Sequence, residues 1–204
     1  MKRNKAMYIG LTGLIASGKS TVSKYLADRG AYIIDADEIS RLVTKKGGEC
    51  FERIVQCFGR SIIAPDGEID RAALSNVVFN NREALDLLNS IVHPVVIRKM
   101  FELAKKYERE NENPIIVFDV PLLAQTGMDE RMDEVWVVTA DRDVIIERAK
   151  KRSGLSRDDV IKRLDNQADN ELKRKIASRI IDNNGTVAQL HEKLDELLAS
   201  IRRV

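Results

Sequence analysis

Residues 13–20 read GLIASGKS and follow directly on the apolar run 7–12. Their outer positions fit GxxxxGK(S/T), a spacing that average residue frequencies produce by accident in roughly one chain per hundred of this length. Placement separates a phosphate cradle from an accident, because the spacing has meaning only where a strand ends at it and a helix begins in it. Residues 7–12 are strand-like, and the pattern turns helical near Gly18. Val22, Tyr25, Leu26 and Arg29 then share one face, and Gly30 acts as a C-terminal stop. In that setting Gly13 and Gly18 let the backbone turn so that successive N–H groups face inward, and the helix N-terminus adds its partial positive charge. The natural guest is a polyphosphate. Lys19 would reach its β and γ phosphates, and the Ser20 hydroxyl would meet the Mg²⁺ that bridges them.

The same stretch has a competing reading, since the basic residues 1–5 followed by the mostly apolar 6–16 have the outline of a secretory signal. Gly10, Thr12 and Gly13 interrupt the apolar run, and cleavage near Ala16 would discard half of the loop, so a buried strand is preferred. No stretch elsewhere approaches the roughly 20 apolar residues that span a bilayer. A soluble, cytoplasmic protein is expected. The 204 residues suffice for one globular domain carrying a smaller subdomain. The 34 basic and 32 acidic residues are spread along the chain and leave a net charge of +2. Such a balance creates no molecule-wide field for nucleic acid or an anionic membrane, so any anion must be held by a local site. Cys50 and Cys57 match neither a zinc knuckle nor a CxxC pair and read as free thiols in a reducing cytosol.

Five short Val- and Ile-rich runs, 7–12, 32–35, 115–119, 135–139 and 179–182, alternate with longer helical patterns. That alternation predicts an α/β fold: a five-stranded parallel sheet covered by helices, with ligands at the polar strand ends. Between residues 37 and 110 no run looks like a buried strand. The spacing there predicts helices over 37–45, 49–58, 71–79, 82–92 and 94–110, with Pro65-Asp66-Gly67 as a turn and Pro94 in the first turn of its helix. The nucleotide-binding core is thus expected at 1–36 and 111–204, and a helical substrate-binding domain is inserted at 37–110. After residue 140 come a helix over 142–152, a break at Ser153-Gly154, and a helix whose start sets Ser156 three residues before Asp159, in capping-box spacing. A final amphipathic helix spans 186–202.

Three features favour a small-molecule kinase over a switch or a motor. Asp35-Ala36-Asp37 closes the second strand, where a carboxylate could accept a proton from an acceptor hydroxyl; a helix-cap role is the alternative for either aspartate. Asp119 ends IIVFD, aimed at Mg²⁺ directly or through water, or simply closing a strand. Arg148 and Arg152 lie four apart on one helix face, and Arg157 and Arg163 follow across the glycine break. A hinged basic segment of this kind, at about 147–167, reads as a lid that excludes water from the phosphates. Solvated arginines paired with Glu147, Asp158 or Asp159 are the competing reading. The chain carries no NKxD segment for guanine and no LSGGQ-like stretch.

GLIASGKSTV, IIDADEISR, FG before PDGEIDRAAL, IVHPVV, FDVPLL, RSGLSRDDVIKRLDNQ and IIDNNG occur in this order along most of the chain. Together they resemble the dephospho-coenzyme A kinase family. The resemblance implies transfer of the ATP γ-phosphoryl to the ribose 3′-hydroxyl of dephospho-coenzyme A, with Mg²⁺ and a fold of core, helical substrate domain and lid. It implies that Asp37 is the base or positioner of that hydroxyl, and that Gly13 and Ala16, Ser17, Gly18, Lys19, Ser20 and Thr21 hold the ATP phosphates. Arg148 matches a catalytic lid arginine, with Arg152 beside the nucleotide. Arg41, His93 and Pro121, Leu122 and Leu123 fall where the acceptor site is lined; for His93 a helix cap before Pro94 is an equal alternative. Asn183 to Gly185 would lie near the adenine. Leu14 and Ala16 depart from the usual GGIGSGK, and Gln125 stands where an acidic residue commonly follows PLL. The remaining alternatives are a nucleoside or nucleotide monophosphate kinase and a non-catalytic nucleotide-binding protein. A monomer or weak homo-oligomer is expected, with ATP and dephospho-coenzyme A as its partners and neither nucleic acid nor membrane.

Overall fold

The computed structural model describes residues 6–79, 81–153, 156–165 and 170–201. Its centre is a five-stranded parallel sheet in the order β2-β3-β1-β4-β5, built from β1 (Met7–Gly13), β2 (Tyr32–Asp35), β3 (Ile115–Asp119), β4 (Glu134–Thr139) and β5 (Arg179–Asp182). β1 pairs in parallel with β3 and β4, and β4 with β5. The three central strands are almost wholly buried, whereas edge strand β5 turns Ile180 to solvent. This is why the central strands read as continuous apolar runs, since both of their faces are covered. The chain goes from β1 outward to β2, returns to β3 on one side of β1, and then places β4 on the other. β1 is therefore the switch point, and a ligand crevice opens beyond its carboxyl end.

Helices α1 (Lys19–Asp28) and α9 (Val187–Ile201) cover one face of the sheet. Val22, Leu26, Leu190 and Leu194 pack there on Ile9, Leu11, Trp136 and Val138. α1 stops as its sequence anticipates: the Gly30 and Ala31 N–H groups bond back to the Ala27 and Leu26 carbonyls. Arg29 lies 4.7 Å from the Tyr25 ring centre and pairs with Asp195 of α9 at 2.5 Å. α9 opens with a reciprocal cap, in which the Thr186 N–H donates to Gln189 Oε1 and the Gln189 N–H donates to Thr186 Oγ1.

The chain divides into two compact units, Met1–Ile34 with Tyr107–Val204, and Asp35–Lys106. The second holds α2 (Ala36–Thr44), α3 (Phe51–Phe58), α4 (Arg71–Phe79) and most of α5 (Arg82–Glu110). Pro65-Asp66-Gly67 forms a tight turn closed by an antiparallel bridge between Ile63 and Ile69. The two helices expected at 82–92 and 94–110 are one, and Pro94 lies inside it rather than in a first turn. Its ring removes the N–H that would bond the Ser90 carbonyl, at a cost of about 3 kcal/mol. Burial of Ile91, Val92, Val96 and Met100 on either side offsets this, at roughly 1.5–3 kcal/mol for each side chain.

The remaining helices are α6 (Arg142–Ser153), α7 (Arg157–Asp165) and α8 (Asn170–Ile176). The sequence patterns did not anticipate α8. The capping box expected at the start of α7 involves Asp159, whose side chain lies outside the described residues. No helix among the described residues is long and apolar enough to cross a membrane.

Candidate active site

The phosphate loop joins the central strand to α1, as its sequence requires. Left-handed backbone falls on Ala16 (φ 54°) and Gly18 (φ 94°), not on Gly13. Gly13 is needed for close approach instead. A Cβ there would sit 2.8 Å from the Val138 carbonyl oxygen and 2.9 Å from Ser17 Oγ. The alternation around Ala16 and Gly18 makes the concave run of amides expected of an anion nest. No side chain caps α1 and no acid stands in its first turn, so its leading N–H groups and dipole face the crevice uncompensated. Ser20 and Thr21 are exposed in that turn.

Leu14 and Ala16, which depart from the residues GGIGSGK but keep the spacing, have a packing role. Leu14, Ile15 and Ala16 lie against the apolar cluster of α6 and α7 formed by Ile145, Ile146, Ala149, Val160 and Leu164. The proposed lid helices thus rest on the apolar back of the loop. Holding an alanine left-handed there costs on the order of 1–2 kcal/mol, which this contact offsets.

The loop's polar anchors come from the far end of the chain. Asn183, buried just after β5, donates from Nδ2 to the Ser17 carbonyl at 2.8 Å, and its own carbonyl accepts from Arg148 Nη1 at 2.8 Å. A trans peptide sends its C=O and N–H in opposite directions. The Ser17 carbonyl held outward by Asn183 therefore turns the Gly18 N–H inward. Ser17 Oγ is buried with no hydrogen-bond partner among the described residues. Asn183, expected near an adenine, engages the loop itself, and Gly185 belongs to the turn into α9, tight against Gln189.

Arg148 donates to the Asn183 carbonyl, and Glu147, one of the carboxylates that could have held it at the surface, pairs instead with Lys150 at 3.1 Å. Arg157, expected among the lid cations, is taken up by Asp143 of α6 at 3.0 Å. The side chains of Arg152 and Arg163 lie outside the described residues.

Lys19 forms an ion pair with Asp119, which is 4% exposed at the end of β3 and stands in register with Leu11 of β1. An exposed hydroxyl at Ser20 and the Asp119 carboxylate are both hard oxygen donors of the kind Mg²⁺ selects. Of the expected acceptor-site residues beyond β3, Leu122 is exposed and Pro121 is half-buried. Leu123 is instead fully buried, its Cδ2 lying 2.7 Å from where a Cβ on Gly10 would stand. It is part of the core and offers no surface to a ligand.

In the second unit, α2 settles the two aspartates of the Asp35-Ala36-Asp37 segment. Asp35 is the cap: its Oδ1 accepts from the Asp37 and Glu38 N–H groups at 2.7 and 3.1 Å. Asp37 follows in the first turn with its carboxylate exposed, and Arg41, four residues on, is exposed on the same side of the helix.

His93 is interior to α5, which removes the cap alternative. It lines a cavity of about 520 Å³ with Ser40, Thr44, Lys45 and Arg71 over an apolar floor of Leu74 and Val78. Burial lowers the His93 pKa below its ordinary 6.5. Sequence reasoning missed Lys45 and Arg71 as lining residues. Arg71 stood inside the quoted segment PDGEIDRAAL, but nothing in its spacing shows that α4 turns it toward α2 and α5.

A phosphate loop at the switch point of a sheet ordered 2-3-1-4-5, with a helical unit inserted after the second strand, defines a P-loop kinase fold. The family model for dephospho-CoA kinase matches residues 7–189. The chain belongs to the dephospho-CoA kinase family. It is 42% identical to the dephospho-CoA kinase of Carboxydothermus hydrogenoformans over 93% of this chain and 92% of that one. A crystal structure from Thermus thermophilus matches with a TM-score of 0.80 at 32% identity, covering 96% of this chain and 97% of the other. The dephospho-CoA kinase structure from Campylobacter jejuni matches with a TM-score of 0.63 at 29% identity, covering 95% and 96%.

Proposed function

We propose that the protein transfers the γ-phosphoryl group of ATP to the ribose 3′-hydroxyl of dephospho-coenzyme A, giving coenzyme A. The observation that carries this reading is the phosphate loop, anchored through Asn183 to a lid arginine, in a chain matched by the family model from residue 7 to 189. Residues 16–21 cradle the ATP phosphates through main-chain N–H groups, with Gly13 at the entry to the loop. Lys19 moves from Asp119 to the β and γ phosphates. Arg148 meets the charge that develops on the transferred group, and Arg152 and Gly185 flank the nucleotide.

Ser20, and Asp119 directly or through water, would hold Mg²⁺, which neutralises phosphate charge when bound. Asp37 orients the acceptor hydroxyl or takes its proton. The exposed position left to it by the Asp35 cap supports that role. Arg41, His93, Pro121 and Leu122 serve the acceptor, and the cavity beside His93, lined by Lys45, Arg71 and Glu68 as well as by apolar side chains, suits a long acceptor with polar and apolar parts.

Phosphoryl transfer asks little covalent work of the protein. Alignment supplies roughly 7–11 kcal/mol and a general base about 3–5 kcal/mol, so positioning dominates. The protein acts as a cytoplasmic monomer or weak homo-oligomer, without nucleic acid or membrane partners. The test is ATP consumption by the purified full chain with Mg²⁺, against dephospho-coenzyme A, nucleosides and nucleoside monophosphates in parallel. Turnover with dephospho-coenzyme A alone is expected, with a product one phosphate heavier. Turnover with the nucleosides or monophosphates instead would move the acceptor assignment to them, and ATP binding without turnover on any acceptor would make the protein a sensor.

A further inference from the structure

Helix α8 inverts the usual order of burial. Leu172 is 38% exposed while its neighbour Lys173 is 5% exposed, although Arg174 and Lys175 point to solvent like ordinary surface cations. Burying an ammonium is far costlier than burying a leucine unless its charge is used. One of the bonds Lys173 makes is to the phosphate loop: Nζ donates to the Gly13 carbonyl at 3.2 Å. The N–H of the same peptide unit, on Leu14, is held from the opposite side by the Val138 carbonyl at 3.4 Å. With a partner at each edge this peptide plane cannot rotate. It forms the entry to the loop, as the Ser17 carbonyl held by Asn183 forms its exit. α8 itself is seated on β4, so the cation stands on a rigid base.

We infer that Lys173 is a positioning residue for the polyphosphate of ATP: through the Gly13 carbonyl it holds the loop open as an anion nest, and it sets a fixed positive charge behind it. The inference rests on the nucleotide-binding reading above. It differs from a purely structural tether in one respect: a charge behind the nest favours ligands in proportion to the phosphate charge they bring.

The experiment is calorimetric titration of the purified full chain at one ionic strength with ATP, ADP and AMP. It compares the unsubstituted protein with Lys173→Arg, Lys173→Gln and Lys173→Met. For Lys173→Met, ATP affinity should fall by about 10- to 100-fold and AMP affinity by less than about threefold, with ADP between them. Lys173→Arg, which keeps the charge, should stay close to the unsubstituted protein. Lys173→Gln, which keeps a donor without the charge, should lose much of the ATP-over-AMP preference. Equal losses for ATP and AMP, or no loss, would overturn the inference. Where Lys173→Met does not fold, the contrast between Arg and Gln decides in the same way. Failure of the unsubstituted chain to bind ATP would instead overturn the nucleotide reading and this inference with it.

Discussion

Gly18→Ala should be costly for two separable reasons, and a second substitution can remove one of them. The first is conformational: Gly18 sits at φ +94°, where a Cβ costs roughly 1–2 kcal/mol. The second is steric, because that Cβ would fall on Asn183 Nδ2. The amide must then leave the Ser17 carbonyl, and breaking this buried hydrogen bond costs about 1–3 kcal/mol. The single substitution should therefore destabilise by about 2–5 kcal/mol. In an Asn183→Ala background the bond is already gone and the space is open, so Gly18→Ala should cost only its conformational share of about 1–2 kcal/mol. The difference between the two backgrounds, about 1–3 kcal/mol, is the coupling energy. Urea unfolding followed by the fluorescence of Trp136 measures it well. Trp136 is the chain's single tryptophan, fully buried in β4, and it reports on the unit that carries the loop. The same cost of Gly18→Ala in both backgrounds would refute the reasoning, because Asn183 would then not be what the glycine accommodates.

Asp37→Asn should lower turnover by about 10²–10⁴-fold with ATP affinity little changed, and unchanged single-turnover rates would remove Asp37 from the reaction. Arg148→Ala should slow the chemical step by about 10³-fold or more, since a cation on the transferred phosphoryl is typically worth that much. Rapid-quench rates at the level of the unsubstituted enzyme would rule out the lid assignment. Burial holds the His93 pKa below its unfolded value of about 6.5, so the unfolded chain binds a proton first as the pH drops. The stability that depends on neutral His93 is therefore full above about pH 6.5 and is lost as the pH falls from there through the folded pKa. His93→Gln should flatten that part of the profile of melting temperature against pH, and an unaltered slope would show that His93 does not titrate in this way.

The sheet was legible because both faces of its central strands are covered, which leaves dense apolar runs such as IIVFD and EVWVV. All five strands fall within one residue of their expected bounds. The phosphate loop was legible from spacing and placement, but its geometry was not. Ala16 carries a left-handed turn that the pattern assigned to glycine, because packing on α6 and α7 outweighs local preference. Pro94 read as a helix start since propensity knows nothing of the apolar partners on either side of it. α8 was invisible because its buried position is a lysine while Leu172 is exposed, so the sequence pattern does not mark its inner face. The bond from the Asn183 amide to the loop, and Lys173 altogether, escaped notice for a shared reason: each side chain acts on a backbone carbonyl some 160 positions away in the chain, and such pairing leaves no local pattern.

That separation bears on how the molecule is made. The loop proposed to cradle the ATP phosphates lies within the first 21 positions, yet the side chains that orient two of its peptide units are numbered 173 and 183. A growing polypeptide would carry the recognisable motif out of the ribosome early and remain unable to grip nucleotide until nearly all of translation is complete. Loop closure over such spans is slow, so nucleotide-binding competence should be among the last properties a newly synthesised copy acquires.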